Sequence, residues 1–221
     1  MEWKILDDKR ISLLERMDEH FLRDDIYLAG GTGLSLLKGY RRSVDFDFFT
    51  SLAFNNSVLL ERLEKVTSDL RVLQNQEGTL DVLLDGIQVS LFRYSYPLIG
   101  QKTKAEGFRW LWIAPVTDIA LMKMVAIGSR GSKKDFFDLY WILQDDFISP
   151  EKMISLMKKK FGNHQNFSYI SMALTYFEDA DCQILPETYV CSDWEEIKKF
   201  FRHYAKAFRK ACFEEAEREN S

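Results

Sequence analysis

Ile26-Tyr-Leu-Ala-Gly-Gly-Thr-Gly-Leu-Ser-Leu-Leu-Lys-Gly-Tyr-Arg-Arg-Ser-Val-Asp-Phe-Asp-Phe-Phe49 is the stretch on which the fold assignment turns. It reads as a short apolar strand, a glycine-rich turn, about two helical turns stopped near Gly39, a basic elbow and a second strand. In an extended strand successive side chains point to opposite faces, so Asp45 and Asp47 are expected on one face and Val44, Phe46 and Phe48 on the other. Two adjacent carboxylates repel and are costly to desolvate unless a cation sits between them. All-oxygen ligands suit Mg²⁺ or Mn²⁺ better than zinc. Upstream, Gly30, Gly31 and Gly33 let backbone N–H groups approach an anion, Thr32 adds a hydroxyl, and a helix start adds its dipole. Each half alone is weak, since Gly-rich turns before helices are common and two aspartates can be a solvated strand end. Leu36 stands where a dinucleotide fingerprint needs its third glycine, and no Gly-Lys-Ser/Thr follows for a Walker loop. Together, a phosphate cradle and an Asp-x-Asp strand form the layout of an enzyme that handles nucleoside triphosphates.

Working outward, residues 7–23 carry Ile11, Leu13, Leu14, Met17, Phe21 and Leu22 at helical spacing, and Asn55–Leu70 does the same with Leu59, Leu60, Leu63 and Val66. Strands are expected at 71–74, 79–84 and 87–94, with Asp85-Gly86 as a two-residue hairpin turn between the last two, and again at 108–113. Beyond Pro115 a helix carries Ile119, Leu121, Met122, Val125 and Ala126, with Lys123 expected to snorkel to solvent. Glycines at 128 and 131 should break it, and a new helix should start near Lys133. On that helix Asp135 and Asp138 share a face, and Lys134 can reach Asp138 in a surface ion pair of little worth. Helices are expected at 151–161, 170–178 and 194–219, with polar loops at 162–167 and 180–192 between them. The stripe Ile197, Phe200, Phe201, Tyr204 and Phe208 reads as core. Basic residues near it, Lys198, Lys199 and Arg202 among them, form either a solvated face or the border of a polyanion groove.

The expected fold is therefore α/β (α+β): a small mixed sheet with packed helices over 1–113, then a helical region over 114–221. The 221 residues carry 46% hydrophobic and 29% charged side chains, an ordinary globular balance. No apolar run is long enough to span a bilayer, so no membrane partner is expected. The first residues lack the plan of a signal peptide, and three cysteines without a CxxC suggest neither a disulfide framework nor a zinc site. A cytoplasmic location is expected. The net charge of -4 argues against a broadly basic surface, though not against a local cationic groove.

Gly-Gly-Thr, a helix, and then Gly39-Tyr-Arg-Arg-Ser-Val-Asp-Phe-Asp-Phe-Phe49 resembles the AbiEii/AbiGii toxin family of the DNA polymerase β-like nucleotidyltransferase superfamily. The likeness extends to Lys123, Arg130 and the Lys134-Asp135-x-x-Asp138-Leu-Tyr motif. It implies NTP, with Mg²⁺ or Mn²⁺ held by Asp45 and Asp47, and nucleotide contacts by Gly30, Gly31, Thr32, Arg41, Arg42, Ser43, Arg130 and Lys134. It implies catalytic roles for Asp45, Asp47, Lys123, Asp135 and Asp138, with Asp135 and Asp138 undivided between base and orienting group. It further implies a toxin acting on tRNA or another cellular acceptor, with a cognate antitoxin. The chain departs from the superfamily at Ser90, where a third carboxylate is expected. Asp81 is the alternative third ligand, and a degenerate nucleotide- or partner-binding module and a small-molecule nucleotidyltransferase are the alternative functions.

Overall fold

The computed structural model describes residues 1–20, 25–146, 148–162 and 165–219, and the side chains of 19, 218 and 219 are outside it. The chain divides into two compact units, Met1–Pro115 and Val116–Ser221.

The first unit is a mixed sheet with helices. After a 3-10 turn at Trp3–Ile5 come α1 (Asp8–His20), β1 (Tyr27–Leu28), α2 (Gly30–Lys38), β2 (Phe46–Thr50), α3 (Asn56–Leu63), β3 (Leu70–Gln76), β4 (Thr79–Leu84), β5 (Ile87–Arg93), β6 (Thr103–Lys104) and β7 (Trp112–Ile113). Among the described residues the strands run in the order β3-β4-β5-β2-β1-β7-β6. β2 pairs in parallel with β5 and antiparallel with β1, and the β3–β4–β5 meander is antiparallel. Leu13, Leu14 and Met17 of α1 and Leu59 and Leu63 of α3 form one core with Phe46, Phe48, Leu80, Val82, Val89 and Leu91. The sheet face bearing those strand residues is therefore the apolar one, and Asp47, Ser90 and Asp81 alternate onto the opposite face.

Several elements differ from expectation for local reasons. The helix over 7–23 is described to His20, and Phe21 and Leu22 lie outside the described residues, as do 163 and 164 of the 162–167 loop. α3 ends at Leu63 rather than Leu70: Asn55 caps its start by accepting from the Ser57 and Val58 N–H groups, and Thr67 bonds to Asp85 of the following hairpin. That hairpin turns through Asp85 at φ 51° and Gly86 at φ 73°, the left-handed pair a two-residue connection needs. Val44 is exposed, not on the apolar face, because the alternation begins only at Phe46, where pairing with β5 starts. The expected strand at 108–113 shortens to its last two residues.

The second unit is helical: α4 (Val116–Arg130), α5 (Lys133–Asp145), α6 (Pro150–Phe161), α7 (Phe167–Ala173), α8 (Glu178–Asp181) and α9 (Trp194–Glu219). Gly128 does not break α4; Gly131, at φ 52°, does. The expected helix at 170–178 is instead α7 and α8, split by Leu174–Phe177. Ile197, Phe201, Tyr204 and Phe208 of α9 are buried, with Phe201 set edge-on to Phe136 of α5 at 5.2 Å between ring centroids. Lys160 of α6 and Asp118 of α4 form a fully buried ion pair at 2.6 Å.

Candidate active site

In the first unit the site grows from the crossing of α2 with β2. The Ala29 N–H donates to the Asp47 carbonyl at 3.0 Å, tying the residue before α2 to the strand. Gly30 follows at φ +61°, and a Cβ there would lie 2.6 Å from Asp47 Oδ2. Only glycine lets the first turn of α2 rest against that carboxylate. A Cβ on Gly31 would run into the Arg41 guanidinium and lie 3.0 Å from Ser43 Oγ. The glycine pair thus makes room for side chains of its own chain as well as for an anion.

The basic elbow is built into this corner. Thr32 is buried, and its hydroxyl bonds to Ser43 Oγ at 2.8 Å and to the Asp45 carbonyl. Its place is that of a clamp on the segment leading into β2. Arg41 is buried and donates to the Arg42 carbonyl at 3.0 Å. Arg42 reaches Asp7 at 3.5 Å, and Arg10 donates to the Val44 carbonyl at 2.7 Å. Burial would raise the Asp7 carboxyl, but the Arg10 backbone N–H and the Arg10 and Arg42 charges outweigh it and hold the pKa below the usual range. Residues 41–45 are therefore pinned from α1 and α2 together, a constraint that the local motif did not reveal.

Asp47 occupies the second position of β2, and Asp45 immediately precedes the strand; both are half-buried. The register puts Asp47 opposite Ser90 on β5 and Ser90 opposite Asp81 on β4, one row across three strands. Ser90 Oγ donates to Asp81 Oδ1 at 3.0 Å, and Gln88 Nε2 donates to Asp81 Oδ2 at 2.8 Å. Asp81 thus lies two strands from Asp47, about 10 Å at normal strand spacing, with both oxygens engaged. Carboxylate oxygens fit a hard divalent cation. Among the described residues no three His, Cys, Asp or Glu side chains are placed to hold one metal ion, so a cation here would rely on two aspartates and neutral oxygens.

The second unit gathers the downstream motif into a different kind of cluster. Lys123 does not snorkel; it is 5% exposed and bridges Asp135 and Asp138, each at 2.7 Å. Asp135 is fully buried and also accepts from Arg130 Nε at 2.7 Å, Arg130 Nη2 at 3.0 Å and Ser132 Oγ at 2.6 Å. The expected surface ion-pair cluster is thus an interior one, because Asp135 and Asp138 face the helix α4 while Lys134 is exposed. Burial pushes the Asp135 carboxyl up, yet the Lys123 and Arg130 charges and their hydrogen bonds override it and hold the pKa well below the usual carboxylate range. Arg130 itself keeps a side chain 58% exposed, so it has one side toward Asp135 and one toward solvent.

An uncharacterized protein of Aquifex aeolicus (strain VF5) is 39% identical over 197 residues, 88% of this chain and 93% of that one. A crystal structure assigned as a nucleotidyltransferase from H. pylori superposes with a TM-score of 0.56 at 16% identity, covering 93% of this chain and 97% of that chain. MenT4, a nucleotidyltransferase toxin of Mycobacterium tuberculosis H37Rv, gives 0.55 at 14% identity over 91% and 82%. These two structures share the mixed α/β fold described above. Residues 12–106 and 93–220 match the family model of the nucleotidyl transferase AbiEii toxin of type IV toxin–antitoxin systems. The chain belongs to that AbiEii toxin family, and it is a nucleotidyltransferase.

Proposed function

We propose that this enzyme transfers a nucleoside monophosphate from an NTP to a cellular RNA, tRNA first among candidates, in a divalent-cation-dependent reaction, and that a separately encoded antitoxin counters it. The observation that carries the reading is Gly30 against Asp47: the N-terminus of α2 and an accessible carboxylate meet where a triphosphate and its cation belong. In this reading the acceptor hydroxyl attacks the α-phosphorus in line. The new O–P bond forms as the bond to the pyrophosphate oxygen breaks, and the hydroxyl proton is lost to a base. Asp45 and Asp47 would hold the cation, which when bound supplies charge neutralisation to the leaving pyrophosphate and activates the acceptor. The Gly30 and Gly31 N–H groups and the α2 dipole receive phosphate oxygens. Thr32 and Arg41 act from beneath by fixing residues 42–45.

In the second unit Arg130 and Lys134 are the exposed cations of the motif, suited to phosphate oxygens. Lys123, Asp135 and Asp138 supply the rigid frame from which Arg130 projects. An RNA acceptor is supported by a groove of about 540 Å³ on α5 and α9, where Lys199, Arg202 and Lys206 outnumber the one carboxylate, Glu196, beside Tyr140 and Phe200. It places cations beside aromatic rings on a chain that is acidic as a whole.

The test is incubation with each labelled NTP, Mg²⁺ or Mn²⁺, and total cellular RNA, beside Asp45→Ala and Asp47→Ala variants that keep their unfolding temperature. Label in a tRNA-sized band, lost by about a thousandfold in either variant, is expected. Label appearing only in small molecules or protein removes the RNA acceptor; undiminished transfer by the variants removes the cation site.

A further inference from the structure

We propose that Ser90 Oγ is a neutral oxygen ligand completing the cation site begun by Asp45 and Asp47, and that Asp81 is the residue positioning it. This rests on the cation-dependent reading above and extends it to residues outside the Asp-x-Asp motif.

The register brings the groups together. Ser90 sits beside Asp47 on the parallel strand pair β2–β5, and Asp81 sits beside Ser90 on the antiparallel pair β4–β5. Paired residues point to the same face, so the three side chains form one row. Ser90 is buried in that row at 3% exposure, a place where a hydroxyl needs partners. Its bond to Asp81 Oδ1 has one possible polarity: a carboxylate accepts only, so the serine hydrogen points to Asp81. The oxygen lone pairs of Ser90 are then the part of the hydroxyl left for its other side, where Asp47 stands.

Gln88 obeys the same rule. It shares the face of Ser90 two residues along β5 and gives its amide N–H to Asp81 Oδ2, so its carbonyl oxygen is not spent on Asp81. One carboxylate thereby turns two side chains so that both offer oxygen, the donor a hard cation takes. The negative charge of a third carboxylate is kept, one strand further out, and its effect reaches the site through a polarised hydroxyl. Serine at position 90 is therefore not a lost ligand but half of a two-residue replacement.

The experiment titrates the purified full-length protein with Mn²⁺ alone and reads free Mn²⁺ by electron paramagnetic resonance. Ser90→Ala and Asp81→Asn are each expected to weaken Mn²⁺ binding about tenfold, the scale seen when an oriented ligand or its partner is lost. The exchange Ser90→Asp with Asp81→Ser is expected to restore or exceed the parent affinity. Ser90→Cys, nearly isosteric and so a safeguard if Ser90→Ala unfolds, should raise the preference for Cd²⁺ over Mn²⁺ about tenfold or more, because only an atom touching the metal makes the site softer. Parent-like Mn²⁺ affinity in Ser90→Ala and Asp81→Asn, with no Cd²⁺ gain in Ser90→Cys, overturns this proposal while loss of binding in Asp45→Ala keeps the cation reading. Parent-like binding in Asp45→Ala and Asp47→Ala, or no Mn²⁺ binding by the parent, removes both.

Discussion

In the first unit Asp45 and Asp47 remain half-exposed beside a helix N-terminus, whereas in the second Asp135 and Asp138 are buried on a shared lysine, with Arg130 and Ser132 added to Asp135. Each pair comes from a motif with two aspartates at short spacing, yet the surroundings divide their work. A carboxylate buried among donors is electrostatically satisfied, and its removal leaves uncompensated cations behind. Asp47 is half-buried, its main-chain carbonyl bonded by the Ala29 N–H and its carboxylate given room by the missing side chain of Gly30. The second unit's aspartates are thus set in an interior ionic cluster, while the first unit's lie within reach of solvent.

The sharpest way to break this contrast is Asp135→Ala. It leaves buried Lys123 with Asp138 alone and takes the acceptor from Ser132 Oγ and from the inner side of Arg130, and the expected loss is about 3 kcal/mol of stability, read by urea unfolding. A loss under about 1 kcal/mol would show that Asp135 is no more tied to the fold than the half-buried aspartates of the first unit. Replacing the whole cluster, Asp135→Leu and Asp138→Leu with Lys123→Met, should recover much of the loss, since matched apolar groups replace a buried ionic cluster well.

Gly30→Ala tests the other side. The added Cβ meets Asp47 Oδ2 in a left-handed backbone position, so strain of about 1–3 kcal/mol is expected. Because the side chain to move is Asp47 itself, transfer activity should fall about 10- to 100-fold, more than the stability change alone explains. Full activity with a shifted unfolding temperature would mean that the α2–Asp47 contact is only packing.

The smallest effect expected is one of pH. The folded pKa of Asp135 is depressed, so on acidification the unfolded chain takes up this proton first and stability falls. The contribution is fully present above the ordinary aspartate range, near pH 4, and declines below it. Asp135→Asn should flatten the stability profile between about pH 5 and pH 3, leaving the slope from groups such as Asp7 and Asp85, also depressed. An unchanged slope would show that Asp135 is not held ionised by its partners.

Much of this was readable along the chain. The α2–β2 corner, the 79–93 hairpin with Asp85-Gly86 and the helices from Pro150 onward follow from periodicity and turn chemistry, which are local. Lys123 shows where local reading fails. A lone lysine on an apolar helix usually snorkels, but two carboxylates from the next helix make burial favourable, and that compensation exists only after α4 and α5 pack. Thr32 is similar: a hydroxyl after two glycines suggests a phosphate ligand, while its bonds to Ser43 and Asp45 come from a chain reversal more than ten residues long. The Arg10 contact to Val44 spans 34 residues and leaves no periodic trace.

By itself the sequence determined the vocabulary: a glycine corner that needs absent side chains, a strand carrying aspartates at alternate positions, and a helical half with its aromatic core stripe. Those depend on one residue's sterics or on spacings of two to four, which the chain carries with it when unfolded. Tertiary structure alone decided which aspartates are buried with partners and which stay reachable. It also decided that Ser90 lies between Asp47 and Asp81, because strand register and helix packing join residues far apart in the chain, and no spacing rule encodes those pairings.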